Sequence, residues 1–384
     1  MSEFKLPPIS TLAGATLRSY YRVLRGGRIA TRSWTMVVLT GLVVLINVPF
    51  RLWERVAFRR KVRAHRMAHP PLFILGHWRS GTTLLHNVLC ASPDAAFVNT
   101  YQSLFPNNLA STWLFKTFMR MNMPDKRPSD NVALHIDFPQ EDEFAFGNMQ
   151  CHAYYNFFYF PSGYDRYYRE AVHHEGLGAG AKRVWYEAYA ELLTKALIVS
   201  TGSQLIVKNP VNTARIDKLL TLYPDAKFLY IHRNPVTVFF STHRFFHQLM
   251  PTLCFEELPS EAFLDGMILD VYDRLMSDYA AQRSRIPPEN LMEISFEAFE
   301  RSPLPHLERI ERDLMKRDPG AHMPQYSAYM ATQKSHRMNT SEVEQERLDR
   351  VLKRLSKHMV AHAYELPENV RVKASKDQAI ERTA

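Results

Sequence analysis

The chain has little cysteine. Cys90, Cys151 and Cys254 are all that its 384 residues contain, an odd number spread far apart and without a C-x-x-C spacing. This argues against a disulfide framework or a zinc site, and the three are read as reduced thiols. Internal repeats are absent, which sets repeat architectures aside. The one N-x-[ST] triplet, Asn339-Thr340-Ser341, is thin support for a lumenal domain. A removable signal peptide is not expected, because the long apolar run lies far from Met1 and no small-residue cleavage site follows it. Acidic residues are outnumbered: 48 lysines and arginines against 39 aspartates and glutamates leave a net charge of +9. That balance suits anionic partners without choosing between a nucleotide, a nucleic acid and an anionic membrane surface.

Residues 34–50, WTMVVLTGLVVLINVPF, carry no charge at all. As a helix the run is about 25 Å long, at the short limit for a hydrocarbon core of about 30 Å. Arg18, Arg22, Arg25, Arg28 and Arg32 precede it, and Arg51, Arg55, Arg59, Arg60, Lys61, Arg63 and Arg66 follow it. Positive charge on both sides gives no orientation rule, and fits a helix dipping into one leaflet or a weakly oriented span. The first arginines, three or four apart, share one helical face suited to anionic head groups. A buried core helix is the competing reading, and the dense arginine flanks disfavour it.

From Pro70 onward strand and helix patterns alternate. Leu72 to Leu75 is a short apolar run ending at Gly76, and Thr82 to Leu89 places Leu84, Leu85, Val88 and Leu89 on one helical face. QLIVKNP supplies a second strand ending near Lys208, NTARIDKLLTLYP a helix stopped by Pro224, and KFLYIHRNP a third strand ending at Arg233. VTVFFSTHRFF follows as a helix with Pro235 in its first turn. Strand, helix and parallel strand in succession predict a right-handed crossover and an α/β domain, with ligands beyond the carboxyl ends of the strands. The aromatic stretch Phe144 to Glu170 is read either as ordinary core or as an apolar acceptor pocket. LMEISFEAFERSPLPHLERIERDLMK predicts a last strand and a helix on the sheet.

In LFILGHWRSGTTLLHNVL, residues 72–89, Gly76 and Gly81 nearly reproduce the phosphate-loop spacing G-x-x-x-x-G-K-[ST], with threonine where the lysine belongs. Backbone amides of a glycine loop entering a helix hold an anion whatever the side chains. A nucleoside triphosphatase also needs the lysine and normally a strand-end acid for magnesium, and this chain offers neither. Arg79 stands ahead of Gly81 instead, and Thr82 and Thr83 offer hydroxyls to a terminal phosphate or phosphosulfate. Arg233 and Ser241, about two helical turns apart, add a planar fork and a second donor across the strand ends.

RSGTT after one strand, KNP at the end of a second and HRNPVTVFFS at a third together resemble the sulfotransferases that use 3′-phosphoadenosine 5′-phosphosulfate, PAPS. The similarity runs in order from about Pro70 to Met315 and is closest to the bacterial and tyrosylprotein branches, which share an R-S-G-T-T loop. It implies that Arg79, Ser80, Gly81, Thr82 and Thr83 hold the 5′-phosphosulfate, that Arg233 and Ser241 hold the 3′-phosphate, and that Lys208 reaches the sulfuryl group. It implies no metal, and such a ligand has no γ-phosphate, so the missing lysine and acid are expected. Charge neutralisation during transfer falls to Arg79 and Lys208.

The base is less readily assigned. Cytosolic members carry a histidine two residues after the lysine, where this chain has Pro210. The tyrosylprotein branch has a glutamate about twenty residues after the loop arginine, where this chain reads Asn99, Thr100 and Tyr101. DFPQEDEFAF, with Asp137, Glu141, Asp142 and Glu143, resembles a P-x-E-D-E segment of bacterial relatives. Glu141 or Glu143 is the expected base, desolvated by Phe138, Phe144 and Phe146, and His135 and His86 are alternatives. KSHRMN, 334–339, is read mainly as a solvated basic loop, with added charge for the 3′-phosphate as the other reading.

The expected fold is therefore α/β, a P-loop-like three-layer fold with a central parallel sheet, preceded by an N-terminal membrane-associated helical segment. The divisions are a basic segment 1–33, an apolar helix 34–50, a basic linker 51–69, a transferase domain 70–372 and a polar tail 373–384. The expected activity is sulfuryl transfer from PAPS, without metal or nucleic acid, to a hydroxyl on a lipid, glycan or other lipophilic acceptor at a membrane. A cytoplasmic-facing domain is expected, with a Golgi type II protein as the competitor. The competing functions are a nucleoside phosphate kinase or NTPase with a degenerate loop and a catalytically silent nucleotide-binding protein.

Overall fold

The computed structural model describes residues 9–122, 135–333 and 340–373. Five parallel strands, β1 (Leu72–Leu75), β2 (Ala95–Ala96), β3 (Gln204–Lys208), β4 (Lys227–His232) and β5 (Leu291–Ser295), lie in the order β2-β3-β1-β4-β5. The register sets Ile74 beside both Lys208 and Leu229, so β1, β3 and β4 end close together. Helices cover both faces of the sheet, which is why β1 is buried at every residue and reads as an unbroken apolar run. Alternate side chains feed opposite layers. Phe73 and Leu75 pack with Phe228 and Tyr230, while Leu72 and Ile74 pack with Ile206, Leu229 and Ile231. With β3 on one side of β1 and β4 on the other, the chain reverses its direction of winding at β1, and this opens a crevice at the carboxyl ends.

The helices used below are α1 (Trp34–Ala64), α2 (Thr82–Leu89), α3 (Thr112–Asn122), α4 (Glu143–Met149), α5 (Ala179–Val199) and α6 (Pro235–Leu253). α2 and the start of α6 fall where the sequence places them. Pro235 opens α6, and the side chain of Asn234 accepts from the Val236 N–H at 3.1 Å. The helix expected after β3 is divided into a 3₁₀ segment, Pro210–Ala214, and a shorter α-helix, Ile216–Leu222.

The front of the chain differs more. Residues 51–64 continue α1 without a break, with Pro49 inside the helix, where a basic linker was expected. Arginine, lysine, glutamate and alanine are strong helix formers, and this outweighs the charge density that suggested a linker. Nor is the segment before α1 separate, since Leu12, Ala15, Tyr20 and Val23 join the main core with Val37 and Val44. A third, smaller core gathers Tyr101, Phe105, Phe115, Met119 and Ile136 against Val43, Phe50 and Phe58 of α1.

The aromatic stretch is mostly core: Tyr154, Tyr155, Phe157, Phe158 and Phe160 are all buried. The three cysteines are free. The KSHRMN loop and the tail after Lys373 lie outside the described residues.

Candidate active site

β1 delivers the chain to Gly76, whose φ of 142° brings the backbone against β4. A Cβ there would stand 2.4 Å from the Ile231 carbonyl oxygen. The Gly76 N–H donates to Thr213 Oγ1 at 2.8 Å, which ties the loop to the segment after β3. Gly81 caps α2 with φ 100°, and its missing side chain leaves room for the Phe296 ring, 2.2 Å from where a Cβ would sit. Between them Arg79 also takes a positive φ, 66°, which is uncommon for a residue with a long side chain. Two long-range contacts hold it there. Arg79 Nε donates to Ser241 Oγ at 3.1 Å, and its carbonyl accepts from Arg233 Nη1 at 3.4 Å.

The loop thus brings Arg79, Ser241 and Arg233 together from β1, α6 and the end of β4. Each guanidinium lies over an aromatic ring, Arg79 over Phe245 at 5.5 Å and Arg233 over Phe296 at 4.2 Å. The first-turn amides of α2 supply further donors. Ser80 has a different place. Its N–H and its hydroxyl both donate to the His77 carbonyl, at 3.2 and 2.8 Å, so it braces the loop from within.

The other half of the site centres on Lys208 at the end of β3. Its ammonium donates to Thr83 Oγ1 at 3.3 Å and to Glu141 Oε1 at 2.5 Å. The second oxygen of Glu141 accepts from the Tyr155 hydroxyl, which in turn accepts from Trp78 Nε1 at 2.9 Å. Glu141 is therefore gripped by a lysine from one strand and a tyrosine held by Trp78 of the loop between β1 and α2.

Asp142 and Glu143 fix the position of Glu141. Asn209 Nδ2 donates to Asp142 Oδ1 at 2.6 Å and Glu143 Oε2 at 2.7 Å. Glu143 also receives both Nη groups of Arg215, at 2.7 and 2.9 Å, and the Tyr154 N–H at 2.6 Å, in a pair with no exposure on either side. Such a carboxylate is an internal counter-ion, which removes Glu143 from the candidate bases. Burial, aided by the Glu143 charge, pushes the Asp142 carboxyl up to about 7. The motifs interlock: Lys208 meets Glu141, and Asn209 meets the two acids that follow.

The alternative bases fare worse. His135 is exposed, and Asp137 pairs with Lys116 at 2.7 Å on the surface. His86 lies on the inner side of α2, where burial and then the nearby Lys208 charge lower its pKa to about 3. It is a neutral buried imidazole.

A sequence model of the sulfotransferase family matches residues 70–315, the part of the chain that carries all of these groups. The chain belongs to the sulfotransferase family. It is an enzyme that transfers sulfuryl groups. A relative named omega-hydroxy-beta-dihydromenaquinone-9 sulfotransferase Stf3, from Mycobacterium tuberculosis, is 27% identical over 329 residues, covering 85% of this chain and 84% of the relative. Among solved structures, the sulfotransferase STF9 of Mycobacterium avium superposes with a TM-score of 0.68 at 17% identity, covering 92% of this chain and 98% of that one. The sulfotransferase STF1 of M. tuberculosis gives 0.63 at 14% identity, covering 88% and 90%. Both show the same fold.

Sequence reasoning about this sulfotransferase missed Tyr155, Trp78, Asn209 and Arg215. Asn209 sits inside the quoted KNP motif and was open to notice. Tyr155 and Arg215 carry no local signal, because their partners lie 14 and 72 residues away.

Proposed function

We propose that this sulfotransferase moves the sulfuryl group of PAPS to the hydroxyl of a membrane-borne lipophilic alcohol, with Lys208 and Arg79 neutralising charge and Glu141 taking the proton. The observation that supports the reading is that two sets of contacts, Arg79 with Ser241 and Arg233, and Lys208 with Thr83 and Glu141, gather around the loop after β1 and the carboxyl ends of β3 and β4. Arg233 and Ser241 suit the 3′-phosphate, Arg79 suits the 5′-phosphosulfate, and Lys208 with Thr83 suits the sulfuryl group.

Lys208 and Arg79 stabilise negative charge on the sulfuryl oxygens and the leaving phosphate while the bond from sulfur to the phosphate oxygen breaks. Glu141 accepts the acceptor's proton as its oxygen bonds to sulfur. Tyr155 and Trp78 aim the carboxylate. The products are a sulfate ester and 3′,5′-adenosine bisphosphate. The lipophilic acceptor is supported by the menaquinone-derived alcohol in the relative's name and by the apolar front of this chain. The reduced cysteines favour a cytoplasmic-facing domain.

Titration with 3′,5′-adenosine bisphosphate and, separately, with ATP and magnesium tests the reading. Tight bisphosphate binding is expected, weakened roughly ten- to hundredfold in Arg233→Ala, since a lost charged hydrogen bond costs about 1.5–3 kcal/mol. Preference for ATP with magnesium, indifferent to that substitution, would return the loop to the nucleoside triphosphatase reading.

A further inference from the structure

α1 is long and apolar enough to cross a membrane by length and composition. Its packing argues for a different use. Val37, Thr40, Val44, Asn47 and Glu54 are buried against the domain along one face. At 1.5 Å per residue, Val37 to Glu54 covers about 25 Å, so the helix is fastened along its apolar length and not merely at one end. The fastening is polar as well as apolar. Asn47 donates to the Ala13 carbonyl at 2.8 Å and accepts from Asn108 at 3.0 Å, and Glu54 accepts from the Ala110 N–H at 2.7 Å and pairs with buried Lys195 of α5 at 3.1 Å. A spanning arrangement would strip these groups of their partners inside hydrocarbon or carry the flank of the domain into the bilayer.

The opposite face is apolar and uncovered. Val38, Leu42, Leu45, Ile46, Leu52 and Val56 are exposed, with Val56 at 77%. At 100° per residue they fall within about a third of the helical circumference, opposite the buried stripe. Beyond Val56 the same face continues as Arg59, Arg60 and Arg63, all exposed. An apolar stripe that ends in a cluster of arginines is complementary to a lipid surface with anionic head groups.

We infer that α1 attaches the enzyme to an anionic bilayer in the plane of one leaflet, without crossing it, and that this attachment presents the site to acceptors held in that leaflet. The second part deepens the lipophilic-acceptor reading and rests on it. The third core joins the two regions. Phe50 of α1 packs edge-on against Phe115 of α3 at 5.3 Å, and Ile136 belongs to the same cluster. From Ile136 the chain runs directly to Glu141, a reach of no more than about 18 Å. α3 itself leaves Trp113 and Met121 exposed, at 69% and 71%.

The test adds the purified full chain to preformed vesicles of equal parts phosphatidylglycerol and phosphatidylcholine. Sedimentation with the vesicles is expected, and it should fall by roughly tenfold or more in Leu45→Glu/Ile46→Glu. Thr31→Cys and Arg63→Cys, made singly at exposed positions flanking the stripe, should both react with a membrane-impermeant maleimide before detergent is added. The unsubstituted chain gives the background from its own thiols. Protection of one end until detergent would show a span and overturn the inference. So would failure of the unsubstituted chain to sediment, and in that case a dimer dispersed by the glutamates would identify a second copy of the chain as what covers the stripe. Turnover of a short water-soluble alcohol without vesicles should be the same in the double-glutamate variant. No such turnover in the unsubstituted chain would count against the alcohol-acceptor reading while leaving the vesicle result intact.

Discussion

Glu141 and Glu143 are two residues apart and chemically identical, yet they do different work. Glu143 is locked in a pair of zero exposure with Arg215, whereas Glu141 meets Lys208 and Tyr155 at the crevice. Breaking a fully buried pair leaves an uncompensated charge, so Glu143→Gln should lower stability by about 3–5 kcal/mol in urea unfolding. Glu141→Gln should cost only about 1–2 kcal/mol and instead reduce kcat by about 10²–10⁴ with bisphosphate affinity retained. Equal activity losses with no difference in stability would place both at the chemistry. The acidic cluster itself was legible, because few carboxylates fall near the strand ends. Which of its members is locked in the interior was not, since that depends on Arg215, a residue brought in from beyond β3.

Among the elements, the loop between β1 and α2 was the most legible. A short apolar run, two glycines and a helical face fix its limits locally, and the structure begins and ends β1 and α2 at the expected residues. Its glycines are sterically required. Gly81→Ala would strain a φ of 100° and drive a methyl group into Phe296, the ring beneath Arg233. Bisphosphate binding, followed by calorimetry, should weaken by roughly a hundredfold, whereas Gly266→Ala, where nothing lies within 4 Å, serves as the unperturbed control. α1 was legible only in part. Its apolar half declared itself by composition, but its basic half resembled a linker, because charge density reports solvent exposure and not backbone conformation.

For the whole molecule, burial of histidine sets the response to acid. It lowers His77 and His232 to about 4, and His86 and His174 to about 3. Unfolded, all four take up protons near pH 6.5. The unfolded chain therefore binds more protons throughout the window from 6.5 to 4, and stability should fall as pH is lowered across it. Asp142 works the other way, since its raised pKa favours the folded state as pH drops through 7, but one carboxyl opposes four imidazoles. His152, raised to about 9 by Cys151 and Glu170, adds stability that is complete below 6.5 and lost as pH rises through 9. Thermal unfolding at stepped pH should show a maximum near neutrality with a marked decline toward pH 4, and a flat acid limb would contradict this account.

Residues 9–69 lie outside the family match and still build the molecule. Leu12, Tyr20 and Val44 belong to the main core, Gly14 presses so near Leu104 that a Cβ would be 1.9 Å from its carbonyl oxygen, and Glu54 pairs with buried Lys195. A chain trimmed to begin at Pro70 would open two hydrophobic cores to water, and so would be an insoluble remnant and not a minimal transferase. The borders of kinship and the borders of a folding unit are different lines in this protein.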